Sequence, residues 1–177
     1  MSAELFLEGY GCSIRIGDKT SIQSAVLSCS ELETSIDIGE DSMISTMVVF
    51  STGDGHPVFK VDTFERVNPA KRIATGRHVW FTANARLMKG AQIGDNCVVG
   101  YGTIVNQSIK DESGRLVCNA LIAGTPAQIR RTRITWSRQL FYEEDGDKSY
   151  EEKYPDGEHN EQSWGRRMPR APRVFCE

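Results

Sequence analysis

Residues 75–105 read TGRHVWFTANARLMKGAQIGDNCVVGYGTIV. Every sixth position gives Thr75, Phe81, Leu87, Ile93, Val99 and Val105, a series that is mostly bulky and apolar. Four places after each of the first five stand Val79, Ala85, Ala91, Cys97 and Thr103, which are small or β-branched. Glycine follows the bulky residue at Gly94 and Gly100, and the phase holds without a slip. A period of six fits neither a helix nor an ordinary alternating strand. It fits a strand of a few residues followed by a corner. Three such units close a triangular coil of about 18 residues, and coils stack at ~4.8 Å, the spacing of parallel strands. The bulky residue points inward onto its equivalent in the next coil, the small one fills the rest of the triangle, and glycine relieves crowding at the corner. One coil cannot bury its own face, so several are required. A β-sandwich would alternate by two and turn every ~8–12 residues, without keeping a six-residue phase.

The N-terminal half carries the same period. Tyr10, Ile16 and Ile22 are in phase, with Ile14, Thr20 and Val26 at the small positions and Gly11 and Gly17 after the bulky ones. A short insertion around Leu27 to Glu31 shifts the frame. It resumes at Leu32, Ile38, Ile44 and Phe50, with Ile36, Ser42 and Val48 between. The expected fold is all-β: a parallel β-helix over residues 1–131, with a protruding loop at 51–74 and a partly irregular C-terminal extension at 132–177. The period does not set the hand of the helix, and right-handed crossovers are the general rule.

Composition excludes several classes. A chain of 177 residues suits one domain plus a tail, and an enzyme of that size with two substrates often completes its site with a neighbouring subunit. The net charge of -3 offers no basic excess for nucleic acid. Apolar stretches such as Met47 to Phe50 are too short to span a bilayer, and Met1 to Gly9 does not resemble a secretory signal. The five cysteines are odd in number, widely spaced and contain no Cys-x-x-Cys pair. Free thiols serving as small apolar residues in a reduced cytoplasm are expected, rather than a zinc site or a disulfide framework.

Between Phe50 and Thr75 the period fails. Residues 51–72, STGDGHPVFKVDTFERVNPAKR, carry Gly53, Gly55, Pro57, Pro69 and many charges, as a loop leaving and rejoining the coil wall would. Long loops on a rigid scaffold commonly carry function. This one holds His56, one of three histidines. Histidine is suited to take a proton near neutral pH, and flanking glycines let backbone approach a ligand. A surface histidine in a turn is the competing reading. His78, inside a regular hexad, and His159, in the polar tail, are expected to be structural.

Thr52-Gly-Asp-Gly-His56-Pro57 is similar to the active-site segment of the hexapeptide-repeat acetyltransferases, which are left-handed β-helices. His78-Val79-Trp80, Leu87-Met88-Lys89-Gly90, Ile93-Gly94-Asp95-Asn96, Val98-Val99-Gly100-Tyr101-Gly102-Thr103 and Ile122-Ala123-Gly124-Thr125-Pro126-Ala127 extend the resemblance. Glu65 to Lys71 and Thr135 to Arg138 look most like bacterial capsule and surface-polysaccharide O-acetyltransferases, including those that modify sialic acid capsules. The resemblance covers roughly Ile36 to Arg138. It implies a homotrimer with active sites between subunits, acetyl-CoA as co-substrate, no metal, and a carbohydrate acceptor acetylated on oxygen. N-acetylation of an amino sugar stays open. It further implies His56 as general base and Asp54 and Trp80 as acceptor-binding residues. Trp80, Ala83, Tyr101, Asn106 and Arg131 would face the cofactor, with Arg131 reaching a CoA phosphate. An outward aromatic at a subunit interface is an equal reading of Trp80, and a solvated basic turn is the alternative for Arg130, Arg131 and Arg133. Phe81-Thr82, Tyr101 and Lys60 depart from the family pattern.

Two other classes fit the sequence less well. A metal-dependent β-helix enzyme of the γ-carbonic anhydrase type needs three converging histidines, and only His56 and His78 lie near the helix. A non-catalytic scaffold has no reason to keep a Gly-Asp-Gly-His-Pro loop.

Overall fold

The structure, a computed structural model, describes residues 2–138. His159, Cys176 and the tail arginines, with most of the expected extension, lie outside the described residues.

The strands stack into three faces. The first holds β1 (Ser2–Glu8), β4 (Ser24–Ser30), β7 (Val48–Ser51), β10 (Arg86–Met88) and β13 (Ile104–Val105). The second holds β2 (Ser13–Ile16), β5 (Ser35–Ile38), β8 (Ile73–Thr75) and β11 (Gln92–Ile93). The third holds β3 (Ser21–Ile22), β6 (Met43–Ile44), β9 (Trp80–Phe81), β12 (Val98–Val99) and β14 (Ala120–Ala123). Pairing is parallel throughout until β15 (Gln128–Thr132) folds back antiparallel on β14. The chain therefore visits face one, two and three in turn, as a six-residue period requires. No helix among the described residues is long and apolar enough to cross a membrane.

The repeat packs as its spacing predicts. Phe81, Leu87, Ile93, Val99 and Val105 are buried, as are Val79, Ala85, Ala91, Cys97 and Thr103. Successive equivalents sit 18 residues apart, Leu87 over Val105 and Phe81 over Val99 (105 − 87 and 99 − 81). Phe50 and Phe81 meet edge to face with ring centroids 5.2 Å apart, a favoured aromatic geometry. Thr75 is the one departure from an apolar column: its hydroxyl is buried without a hydrogen-bond partner. Burial also pushes the Cys97 thiol up to about 12, so it behaves as an inert apolar filler. Cys12 and Cys29 are free as well.

Three expected inward positions are not inward, Val26 among them, since it faces out between buried Ala25 and Leu27. Tyr10 is 83% exposed and Leu32 is 66% exposed. The cause lies in β1 and β4, which run seven residues in register, with β4 alternating by two along its whole length. Ala25, Leu27 and Cys29 take the inward places, and the corner is postponed. The insertion around Leu27 is thus a longer strand, matched in the preceding coil. Ser2 pairs with Ser24 and Ser13 with Ser35, an offset of 22 residues (24 − 2 and 35 − 13). Tyr10 and Leu32 fall on the stacked corners, where the Tyr10 carbonyl accepts the Glu33 N–H at 3.0 Å. Ile16 does stack in register, on Ile38, and is partly exposed because β1 to β3 form the first coil and have a neighbour on one side alone.

Candidate active site

The excursion between β7 and β8 occupies residues 52–72; Ile73 and Ala74 already pair with Ile36 and Asp37. Its outer part is a short hairpin. Val67 N–H donates to the Val58 carbonyl at 2.9 Å, and Lys60 N–H to the Glu65 carbonyl at 2.9 Å. At its base, the Arg66 guanidinium forks onto Glu31, with Nη1 2.9 Å from Oε2 and Nη2 2.5 Å from Oε1. Ala70 N–H also reaches Glu31 Oε2 at 3.3 Å. The hydrogen bond from Arg66 holds the Glu31 carboxyl below the usual carboxylate range.

The segment carrying His56 is held separately. Asn68 is buried, and its Nδ2 donates to Asp54 Oδ2 at 2.9 Å and to the His56 carbonyl at 2.8 Å. Its Oδ1 accepts the Val58 N–H at 2.6 Å. Lys89, from the turn after β10 in the next coil, pairs with Asp54 and donates to the Asn68 carbonyl at 3.3 Å. Lys89 first, and Asn68 second, keep the Asp54 carboxyl below its ordinary range, so Asp54 is an anion at neutral pH. Gly55 takes a φ of +82°, in the left-handed region that favours glycine. Between these fixed points the His56 ring is exposed.

The other expected site residues lie elsewhere on the prism. Asp54, His56 and Lys89 share the corner between faces one and two, and exposed Asn106 follows β13 at the same corner. Trp80 lies on face three, where its Nε1 donates to Ser45 Oγ at 3.1 Å. Ala83 and Tyr101 stack at the corner between faces three and one, where Gly102 N–H donates to the Ala83 carbonyl at 3.1 Å. Tyr101 is 75% exposed, and its hydroxyl accepts a hydrogen bond from Asn84 at 2.8 Å. Arg131 is exposed on β15, opposite Leu121. One chain thus gathers Asp54 and His56 but leaves Trp80, Ala83, Tyr101 and Arg131 on other parts of the wall.

His78, expected to be structural, is held at both ring nitrogens. Its Nδ1 lies 2.7 Å from Asp41 Oδ2 and its Nε2 3.1 Å from the Trp136 carbonyl. Its ring stacks on Trp136 with centroids 4.2 Å apart, and Trp136 Nε1 donates to the His78 carbonyl at 2.9 Å. Trp136 also lies against Trp80, 5.8 Å between centroids. Nothing local in the sequence marks Asn68 or Lys89 as holding the His56 turn, because the partners they hold there are 10 to 35 residues away.

No protein-family profile matches the chain. A polysialic acid O-acetyltransferase of Escherichia coli O1:K1 is 33% identical over 128 residues, 72% of this chain and 39% of that protein. A polysialic acid O-acetyltransferase of Neisseria meningitidis is 33% identical over 79 residues, 45% of this chain and 36% of that protein. The chain therefore spans under two fifths of the length of these curated relatives. Among solved structures, the polysialic acid O-acetyltransferase OatWY superposes with a TM-score of 0.70 at 28% identity, covering 88% of this chain and 69% of that one. Fold and repeat together define a left-handed β-helix of hexapeptide-repeat type. The chain resembles the hexapeptide-repeat acetyltransferases, and within them the bacterial polysaccharide O-acetyltransferases.

Proposed function

We propose that this protein transfers the acetyl group of acetyl-CoA to a hydroxyl of a bacterial capsular or surface polysaccharide of the polysialic acid kind. The observation that carries this is His56, exposed on a braced Gly-Asp-Gly-His-Pro turn, in a chain similar to polysialic acid O-acetyltransferases. The imidazole takes the proton of the acceptor hydroxyl as its oxygen attacks the thioester carbonyl. The new C–O bond forms, the tetrahedral oxyanion collapses, and the C–S bond breaks. The imidazolium then returns the proton to the departing CoA sulfur. A positioned base of this kind supplies ~10²–10⁴-fold. Asp54, anionic beside His56, is suited to accept a hydrogen bond from a sugar hydroxyl. The cofactor lies along the wall lined by Trp80, Ala83 and Tyr101, with Asn106 reaching it from the His56 corner and Arg131 on a phosphate. Because Asp54 and His56 occupy a different corner from Ala83 and Tyr101, a complete site takes residues from two copies, as in a homotrimer.

The test is His56→Ala, assayed for acetyl transfer to sialic acid oligosaccharides and for stabilisation by CoA. Turnover is expected to fall at least ~10²-fold, while CoA still raises the melting temperature. Near-normal turnover in this variant removes His56 as the base. Absence of any CoA stabilisation in the parent protein points to a non-catalytic scaffold.

A further inference from the structure

We infer that Asn68 is a positioning residue for His56, fixing the direction in which the imidazole faces the acceptor. This rests on His56 being the base. Asn68 stands 12 residues from His56 in sequence (68 − 56), yet its carboxamide binds the chain on both sides of that residue. Its Nδ2 holds the Asp54 carboxylate at 2.9 Å and the His56 carbonyl at 2.8 Å, and its Oδ1 receives the Val58 N–H at 2.6 Å.

The chemistry of the three partners selects the side chain. Two are pure acceptors and one is a backbone donor, with the Arg66 Nε a longer fourth contact on the same Oδ1 at 3.5 Å, so the group between them must offer two hydrogens and an acceptor oxygen in a plane. A primary carboxamide does this, and the partners also fix which end is oxygen. Aspartate has no hydrogen to give and would face the Asp54 carboxylate. Glutamine has the right group on a stem one methylene too long. Asn68 is 7% exposed, so losing a partner leaves a buried polar group unsatisfied rather than rehydrated.

The remainder of the loop does not depend on this contact. Its base is fastened by Arg66 and Ala70 on Glu31, and its hairpin by the pairing of Val58 with Val67 and of Lys60 with Glu65. Lys89 braces the arrangement from the next coil by binding both Asp54 and the Asn68 carbonyl. Loss of the Asn68 amide therefore releases the turn at residues 54–58, while the coil beneath stays packed. A displacement of about 1 Å in a catalytic group costs roughly 10²-fold in rate.

The experiment is Asn68→Asp in the full chain, alone and combined with His56→Ala, assayed with acetyl-CoA and sialic acid oligosaccharides. The expected result is a kcat lower by roughly 10²-fold, an unchanged KM for acetyl-CoA, and a lowered melting temperature, as an unsatisfied buried group requires, with the coil still folded at the assay temperature. In the His56→Ala background the same change is expected to cost nothing further, because a residue that acts only through another has no effect once the other is gone. Full activity in Asn68→Asp overturns the inference, and so does an equal additional loss in both backgrounds. Should Asn68→Asp fail to fold, Asn68→Ser, which keeps a single hydroxyl donor, is read by the same criteria. Near-normal turnover of His56→Ala itself refutes the base assignment, and this inference falls with it.

Discussion

Gly39 marks the corner between β5 and β6, and substituting it by alanine probes the stacking of coils directly. A Cβ at this position would lie 2.2 Å from the Gly76 carbonyl oxygen, 2.4 Å from the Gly76 carbonyl carbon and 2.7 Å from the Arg77 nitrogen. Non-bonded carbon contacts are comfortable near ~3.5 Å, so the methyl would be more than 1 Å too close to two backbone atoms and about 0.8 Å too close to a third. No side-chain rotation relieves this. The next coil cannot simply lift away, because Gly39 N–H donates to the Thr75 carbonyl at 3.1 Å and Gly76 N–H to the Ile93 carbonyl at 2.9 Å. Overpacking in a close-packed interior costs typically ~1–3 kcal/mol, and rigid backbone on the far side places this case near ~3 kcal/mol. For a domain of this size that lowers the melting temperature by roughly 10 °C. The measurement is thermal unfolding followed by circular dichroism, with Gly55→Ala as comparator. At Gly55 an added Cβ meets nothing within 4 Å, and the penalty is only that of a φ of +82°, about 1–2 kcal/mol. If Gly39→Ala melts within about 2 °C of the parent, the corners are not in contact as described and the register of the coils is wrong.

Thr75→Val replaces a buried hydroxyl that has no partner by a methyl of nearly the same size. It is expected to raise stability by ~1 kcal/mol, seen as a higher denaturant midpoint at constant slope; a drop would mean that the hydroxyl is satisfied. Arg131→Ala is expected to raise the KM for acetyl-CoA more than it lowers kcat, since a phosphate contact acts equally in ground and transition states. An unchanged KM would take Arg131 out of the cofactor site.

Much of the architecture was legible in the sequence because the repeat imposes it one residue at a time. Phe81, Leu87, Ile93 and Val99 recur at intervals of six and all are buried. Where the period misled, at Tyr10 and Leu32, the cause was a change from corner to extended strand that leaves the spacing of apolar residues ambiguous. Ala25, Leu27 and Cys29 alternate by two, and a six-residue frame run through them places the next inward residue on a turn.

The sequence alone settled that stacked triangular coils form, that a long loop leaves them after Phe50, and that His56 lies on that loop. These are properties of neighbours along the chain: periodicity, glycine and proline placement, and a short motif. Tertiary structure decided what holds the loop and where each candidate residue stands. Lys89 and Glu31 meet Asp54 or the loop base only because successive coils bring residues 35 to 39 positions apart within hydrogen-bond reach, and Asn68 meets the Asp54–His56 turn because the loop folds back on itself. Likewise Trp80 and His56 are 24 residues apart in sequence (80 − 56), yet they belong to different parts of the prism. Which side chains share a corner depends on coil length summed over every insertion, and no local pattern contains that sum.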